Sequence, residues 1–285
     1  MEGSRSGLGQ FFILLKEYYY IIASDKKNLF VSLLFPIAAA AIVIWVAGEK
    51  MFVSNEMTVS SCLVLASAAI WGGLFNSIQT VVKERANIKR DYVNGIKLRS
   101  YIASRVVIQF LICAVQSAIL MLSIPGIQTV HGNELPAEGL LCSSVYLEYY
   151  IDILLLMLAA DMMGLMISCI VKKEETASVL SPYILIAQLI FSGALFQMKG
   201  VAEYFSKLMI SRWGMEALGS TSRINDIPYQ VQLDFPQLGR LYQGLEMFNA
   251  EADHLRQTWY ALLGFMIIFI VVGDILLHRV SRDSR

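Results

Sequence analysis

Charge is scarce in this 285-residue chain. Lys, Arg, Asp and Glu make up 16% of it, against about 25% in an ordinary soluble domain. The 23 basic and 23 acidic residues cancel, so no net charge draws the chain to nucleic acid. Because 56% of the residues are hydrophobic, the composition also excludes an ordinary soluble enzyme and a disordered chain. Enzyme signatures are missing too. The three histidines, His131, His254 and His278, make no His-Glu-x-x-His zinc motif, and no Gly-x-Ser-x-Gly elbow occurs. No Gly-x-x-x-x-Gly-Lys-Ser/Thr loop occurs either, so the chain has no nucleotide-binding P-loop of its own. The four cysteines form no Cys-x-x-Cys pair and no metal spacing. Cys113 and Cys169 read as packing residues. Cys62 and Cys142 fall near one membrane face, where the sequence leaves a disulfide open. A cleaved leader is not expected, because the first long apolar stretch has no small-residue cleavage site.

Long apolar runs are abundant. A spanning helix needs about 20 mostly apolar residues to cross about 30 Å of hydrocarbon. Leu29 to Ala47, Val59 to Val82, Val106 to Ile124 and Ala177 to Met198 carry no charge. Ile153 to Val171 carries only Asp161, and Trp259 to Leu277 only Asp274. Six spans are therefore expected. The basic residues alternate with them: 16 fall on the side that holds both termini, and the short loops opposite hold only Lys50. The positive-inside rule then predicts cytoplasmic termini in a multi-pass protein of the cell membrane.

The segments between spans have their own patterns. Leu8, Phe11, Phe12, Leu15, Tyr19 and Ile22 recur at helical spacing, and Tyr18 to Tyr20 precede Lys26 and Lys27. That predicts a helix lying along the inner membrane surface over residues 1–28. The loop from Lys83 to Gly95 places Ile88, Tyr92 and Ile96 at four-residue steps before an Asn94-Gly95 turn. It reads either as a docking surface with a small apolar ridge or as a solvated basic loop. Residues 199–258 are too apolar for a bare loop. Their first half is expected to form one or two short helices at the outer face, and Asn225 to Gly239 an exposed cap.

Polar residues inside apolar runs are costly. Asp161 reads either as a substrate or proton site or as a structural carboxyl facing another helix. Glu148, Asp152 and Asp274 lie near span ends and are expected to reach water. Trp71, Phe75, Asn76 and Gln79 in the second span mix rings with amides, as do Gln188, Phe191, Ser192, Gly193 and Phe196 in the fifth. The mixture suits a cavity wall for amphipathic molecules, and it suits helix packing equally.

Three stretches together resemble the transmembrane half of G-subfamily ABC transporters and related type-2 exporter permeases. The arm Gln10 to Lys26 is similar to that family's connecting helix. Glu84-Arg85, Asp91-Tyr92 and Gly95 resemble its Glu-Arg…Glu-Tyr…Gly signature, with Asp91 in place of the usual Glu. Ile210 to Leu218, with Trp213-Gly214 and Glu216-Ala217-Leu218, resembles the segment after its fifth span, without the usual proline.

The resemblance covers the whole chain. It implies one all-α permease domain over residues 1–285. Residues 1–28 would be the interfacial connecting helix, 29–198 spans one to five, 199–258 an extracellular loop with short helices, 259–278 span six and 279–285 a cytoplasmic tail. Glu84, Arg85, Arg90, Asp91, Tyr92 and Gly95 would form a cytoplasmic coupling helix against an ABC ATPase. That ATPase would be a separate subunit or a part of the chain that has been removed. Trp71, Phe75, Asn76, Gln79, Gln188, Phe191, Ser192 and Leu195 would line a substrate cavity. Two such halves would pair as a homo- or heterodimer among membrane lipids. This chain would hold no cofactor or metal; ATP and Mg would sit on the partner. The expected function is export of a lipophilic or amphipathic substrate. A channel or scaffold that needs no ATPase is the alternative reading, and a membrane enzyme built on Asp161 a third.

Overall fold

The computed structural model describes residues 7–47, 49–196, 198–235 and 244–282. All regular structure among them is helical. The elements are α1 (Gly7–Ser24), α2 (Lys26–Ile42), α3 (Asn55–Ser77), α4 (Thr80–Val93), α5 (Leu98–Met121), α6 (Ser123–His131), α7 (Val145–Ile170), α8 (Glu174–Ile190), α9 (Val201–Lys207), α10 (Ile210–Thr221), α11 (Gln230–Asp234) and α12 (Ala252–Arg282). Among the described residues, five stretches are long and apolar enough to cross a membrane: Lys26–Val46, Asn55–Val93, Leu98–His131, Val145–Ile170 and Ala252–His278.

α7 is the hub. It is apolar on every face, and 72% of its most hydrophobic stretch is buried, against 17% for the first and last spans. α3, α12, α5 and α10 surround it. Lipid tails supply no hydrophobic drive between helices, so close backbone approach has to hold the α3–α7 crossing. Small residues make that approach possible. A Cβ on Gly73 would strike the Met157 carbonyl, and one on Gly164 would meet Ser77 Oγ and the Leu74 carbonyl. Ala66, Ala69, Ala159 and Ala160 are buried in the same core.

Several expectations are corrected by these helices. The region expected to be the fifth span, residues 177–198, forms α8, whose 17 residues measure about 25 Å. It stops because Ser192 Oγ turns back to the Leu189 carbonyl at 2.7 Å and Gly193 takes φ +81°. Phe191, Ser192 and Leu195 therefore sit in a turn and not on a helix face. The helix expected over residues 1–28 is described from Gly7 to Ser24. Its Leu14 and Tyr18 are buried, and it packs against α5. It ends at Ser24, because Asp25 caps α2 by accepting from the Asn28 amide at 3.1 Å.

Glu148 and Asp152 were expected to reach water, yet both are fully buried. α7 begins at Val145, and the long segment before α12 folds back over its first turns. Asp152 accepts from Thr221 Oγ1 at 2.8 Å and from Trp259 Nε1 at 2.7 Å. Glu148 Oε1 accepts from the backbone amides of Leu141 and Cys142. α10 is the part of that segment that enters the bundle. Gly214 lies against Leu156 of α7, Arg212 pairs with Glu216 at 2.6 Å, and Trp213 Nε1 donates to the Lys207 carbonyl at 2.9 Å. Of the expected cap, Pro236 and Gly239 lie outside the described residues. Asn225 is fastened to Leu245 and Phe248 through its side chain. All four cysteines are free, and Cys62 is buried beside Ser222. The final residues 283–285 of the expected tail also lie outside the described residues, while α12 runs on to Arg282.

Candidate functional site

α4 continues α3 through a bend at Ile78 and Gln79, so the two form a nearly continuous rod over Asn55–Val93. The first amides of any helix lack intrahelical acceptors. Here Ser168 Oγ of α7 accepts from Val81 N at 3.0 Å and Val82 N at 3.1 Å. One hydroxyl thus ties the base of α4 to the hub helix.

Glu84 and Arg85 face back into the protein. Glu84 Oε2 accepts from Tyr101 Oη at 2.6 Å and from Arg105 Nη2 at 2.5 Å. Arg85 Nη1 donates to the Val171 carbonyl at 2.9 Å. Arg105 is 3% exposed, and its guanidinium lies over the rings of Tyr18 and Tyr101, 3.8 Å and 4.4 Å from their centroids. The ring faces solvate the cation where water does not reach. Burial pushes the Tyr18 hydroxyl up to about 12, against the opposing pull of Arg105, so the phenol stays neutral. Helices α1, α4 and α5 therefore meet at one charged centre.

The far end of α4 turns through Asn94 and Gly95, with Gly95 at φ +92°, a region that only glycine enters freely. The Gly95 amide donates to the Tyr92 carbonyl and Ile96 N to the Asp91 carbonyl, both at 3.0 Å. Gln10 of α1 clamps this turn from outside. Its Nε2 donates to the Gly95 carbonyl at 3.1 Å, and its Oε1 accepts from Lys97 N at 2.9 Å. Ser100 Oγ adds a bond to the Gly7 carbonyl at 3.0 Å.

The ridge of Ile88, Tyr92 and Ile96 points inward, against the cluster that contains Leu14, Leu98, Tyr101 and Leu277. The outer face of α4 exposes Lys83, Ala86, Asn87, Arg90 and Val93, and the turn after it exposes Asn94 and Gly95; Val93 is 84% exposed. Arg90 and Asp91 form an exposed ion pair at 3.4 Å, which contributes little by itself. Helical spacing marked the ridge and passed over Val93, because periodicity identifies a face without saying which face the bundle covers. It also passed over Arg105 as the partner of Glu84.

Trp71, Phe75, Asn76 and Gln79 lie together along a groove of about 540 Å³. Its other walls are α1, α2, α5 and the first turns of α4, and α8 takes no part. The rings of Trp71 and Phe75 stack 5.7 Å apart at 11°. Asn76 Nδ2 donates to Gln116 Oε1 at 2.6 Å, and Gln116 Nε2 donates to Ser32 Oγ at 2.7 Å, so one amide network joins α2, α3 and α5. Gln79 Nε2 reaches α8 at Ser178 Oγ, 2.7 Å away.

The second set of expected cavity residues lies elsewhere. Gln188 is buried and braces α10: its Oε1 accepts from Ser211 N at 3.0 Å. Ser192 is buried in the turn after α8. Phe191 packs on Phe205 with ring centroids 6.4 Å apart, and Leu195 is half-exposed. Asp161 is fully buried opposite α3, and neither of its carboxyl oxygens has a hydrogen-bond partner. Ser77 Oγ donates to its backbone carbonyl instead.

The sequence model of the ABC-2 type transporter family matches residues 9–221. The chain is also similar to the ABC transporter ATP-binding/permease protein Rv1747 of Mycobacterium tuberculosis, at 27% identity over 224 residues. That match takes in 74% of this chain and 25% of the relative. The chain thus spans about a quarter of the length of the curated relative it matches.

Proposed function

The chain belongs to the ABC-2 type transporter family, a membrane permease family, and from that premise we propose that it is the permease half of an ATP-driven exporter. The observation that carries this reading is the tip of α4. It is exposed at Arg90, Val93 and Asn94, yet it is fixed to α1, α5 and α7 by buried or paired groups. An exposed patch on a rigid rod transmits a push, whereas a floppy loop absorbs it.

An ABC ATPase, on another chain or elsewhere in the same polypeptide, docks on this tip in our reading. ATP and Mg belong to that partner. Its closure displaces α4, and the rod passes the displacement to α3. The name of the mycobacterial relative couples an ATP-binding and a permease function, which supports such a partnership. Both termini and the α4 tip are cytoplasmic in this reading, since the Lys- and Arg-rich segments lie there.

Two permease halves pair so that the exposed rings of Trp71 and Phe75 on α3, and the apolar outer face of α8 with Tyr183, Ile186 and Ile190, enclose a path for a lipophilic or amphipathic substrate. Transport is coupled only if that substrate binds the two states of the dimer with different affinity. The test is Val93→Asp in the assembled transporter. Abolished substrate-stimulated ATP hydrolysis in a normally folded protein is expected. Wild-type stimulation in this variant would remove the docking assignment.

A further inference from the structure

The groove between α1, α2, α3 and α5 has two chemically different ends. Asp25 and Lys83 stand at the end near the base of α4, and Phe35, Trp71 and Phe75 at the other. Ten residues of α2 separate Asp25 from Phe35, about 15 Å of helix rise. Between the ends, Gln109 lies in the floor and is 1% exposed. Its Nε2 donates to the Asn76 carbonyl at 3.0 Å and approaches Tyr18 Oη at 3.2 Å. A backbone carbonyl can only accept, so this bond fixes which way the amide points. Gln109 Oε1 is then a buried acceptor with no partner. Leaving such a group unpaired costs about 1–3 kcal/mol, so a donor from a ligand would be bound with gain.

We propose that this groove is a binding site for a single phospholipid with a primary ammonium headgroup, of the phosphatidylethanolamine type. Lys83 takes the phosphate. The ammonium donates to Gln109 Oε1 or to the Asp25 carboxylate, and an acyl chain runs along Phe35, Trp71 and Phe75. A choline headgroup has the same charge but no N–H, so it cannot satisfy Gln109. An anionic headgroup without an amine brings no positive group to set against the Asp25 carboxylate. The site lies within one chain and uses no ATP, so its occupancy is measured without the export reading, although Trp71 and Phe75 also border the proposed path.

The purified protein is reconstituted in phosphatidylcholine vesicles and titrated with lipids carrying brominated acyl chains, with tryptophan fluorescence as the readout. Brominated phosphatidylethanolamine is expected to quench a component saturably, at a mole fraction about fivefold below that needed with brominated phosphatidylcholine or phosphatidylglycerol. That component disappears in Trp71→Phe, which places it in the groove. Lys83→Ala, an exposed position, and Gln109→Leu should each abolish the preference. Linear quenching that is equal for all three lipids would overturn the proposal. So would a saturable component that survives both Lys83→Ala and Gln109→Leu. ATP-driven transport is scored separately: its absence with saturable quenching intact counts against export and leaves the lipid site standing.

Discussion

Gln10 Oε1 accepts a hydrogen bond from the backbone amide of Lys97, 2.9 Å away across 87 residues of sequence. The other end of the same amide holds the Gly95 carbonyl. One side chain thus splints the turn that carries the exposed tip of α4. Each such bond contributes about 0.5–1.5 kcal/mol. Gln10→Ala is expected to leave global stability nearly unchanged and to speed amide exchange at Ile96 and Lys97 by about tenfold. Hydrogen exchange read by mass spectrometry checks this; unchanged protection there would mean that α1 does not hold the turn.

Arg105 and Glu84 should behave as a unit. Removing one member of a buried pair strands a charge and costs about 3–5 kcal/mol. Arg105→Met is expected to lower the unfolding temperature sharply, and Glu84→Gln less so, since Glu84 is the more exposed partner. The double variant Glu84→Gln/Arg105→Met should recover much of the loss. A double-mutant cycle by thermal unfolding in micelles measures the coupling, and additive losses would argue against it.

Opposite outcomes are expected at two apolar residues of α4. Ile88→Asp buries a carboxylate in the inward cluster and should prevent folding. Val93→Asp changes only an 84% exposed surface position and should leave the melting temperature within a degree or two. Size-exclusion profiles and thermal scans of the two proteins separate these outcomes.

The α3–α7 crossing has no room for a methyl group at Gly73. The added Cβ would meet backbone, the Met157 carbonyl, which cannot swing aside as a side chain can. Gly73→Ala is expected to cost about 1–3 kcal/mol. Gly9→Ala, where the Cβ meets open space, should cost nothing and serves as the control.

Asp161 lies opposite the same crossing with both carboxyl oxygens unpartnered. Asp161→Asn keeps the shape and removes a potential charge. The variant is expected to fold with equal or higher thermal stability. A large loss of stability would mean that the carboxyl has a partner essential to the fold.

Much of the helical layout could be read from residue order. The apolar runs marked six spans, and five stretches among the described residues are long and apolar enough to cross a membrane; the turn at Asn94-Gly95 ends α4 where its φ-permissive glycine allows it. The short helices after α8 followed from Val201, Tyr204, Phe205 and Leu208 at helical spacing. The end of α8 was misplaced because hydropathy does not register a helix stop inside an apolar stretch. Ser192-Gly193 ends the helix while Ala194, Leu195 and Phe196 keep the stretch apolar.

Residue order alone determined that the chain is a multi-helix membrane protein. Apolar length is a local property of the chain. Only the tertiary structure decided which side chains share a site. Glu148 and Asp152 are buried because α10 and α12 fold back over the start of α7. Trp71 and Phe75 share a groove with α1, α2 and α5, while Gln188 braces α10. A helix period says that one face differs from another. Which neighbour covers that face depends on contacts between residues tens of positions apart, and spacing along one helix carries no information about them.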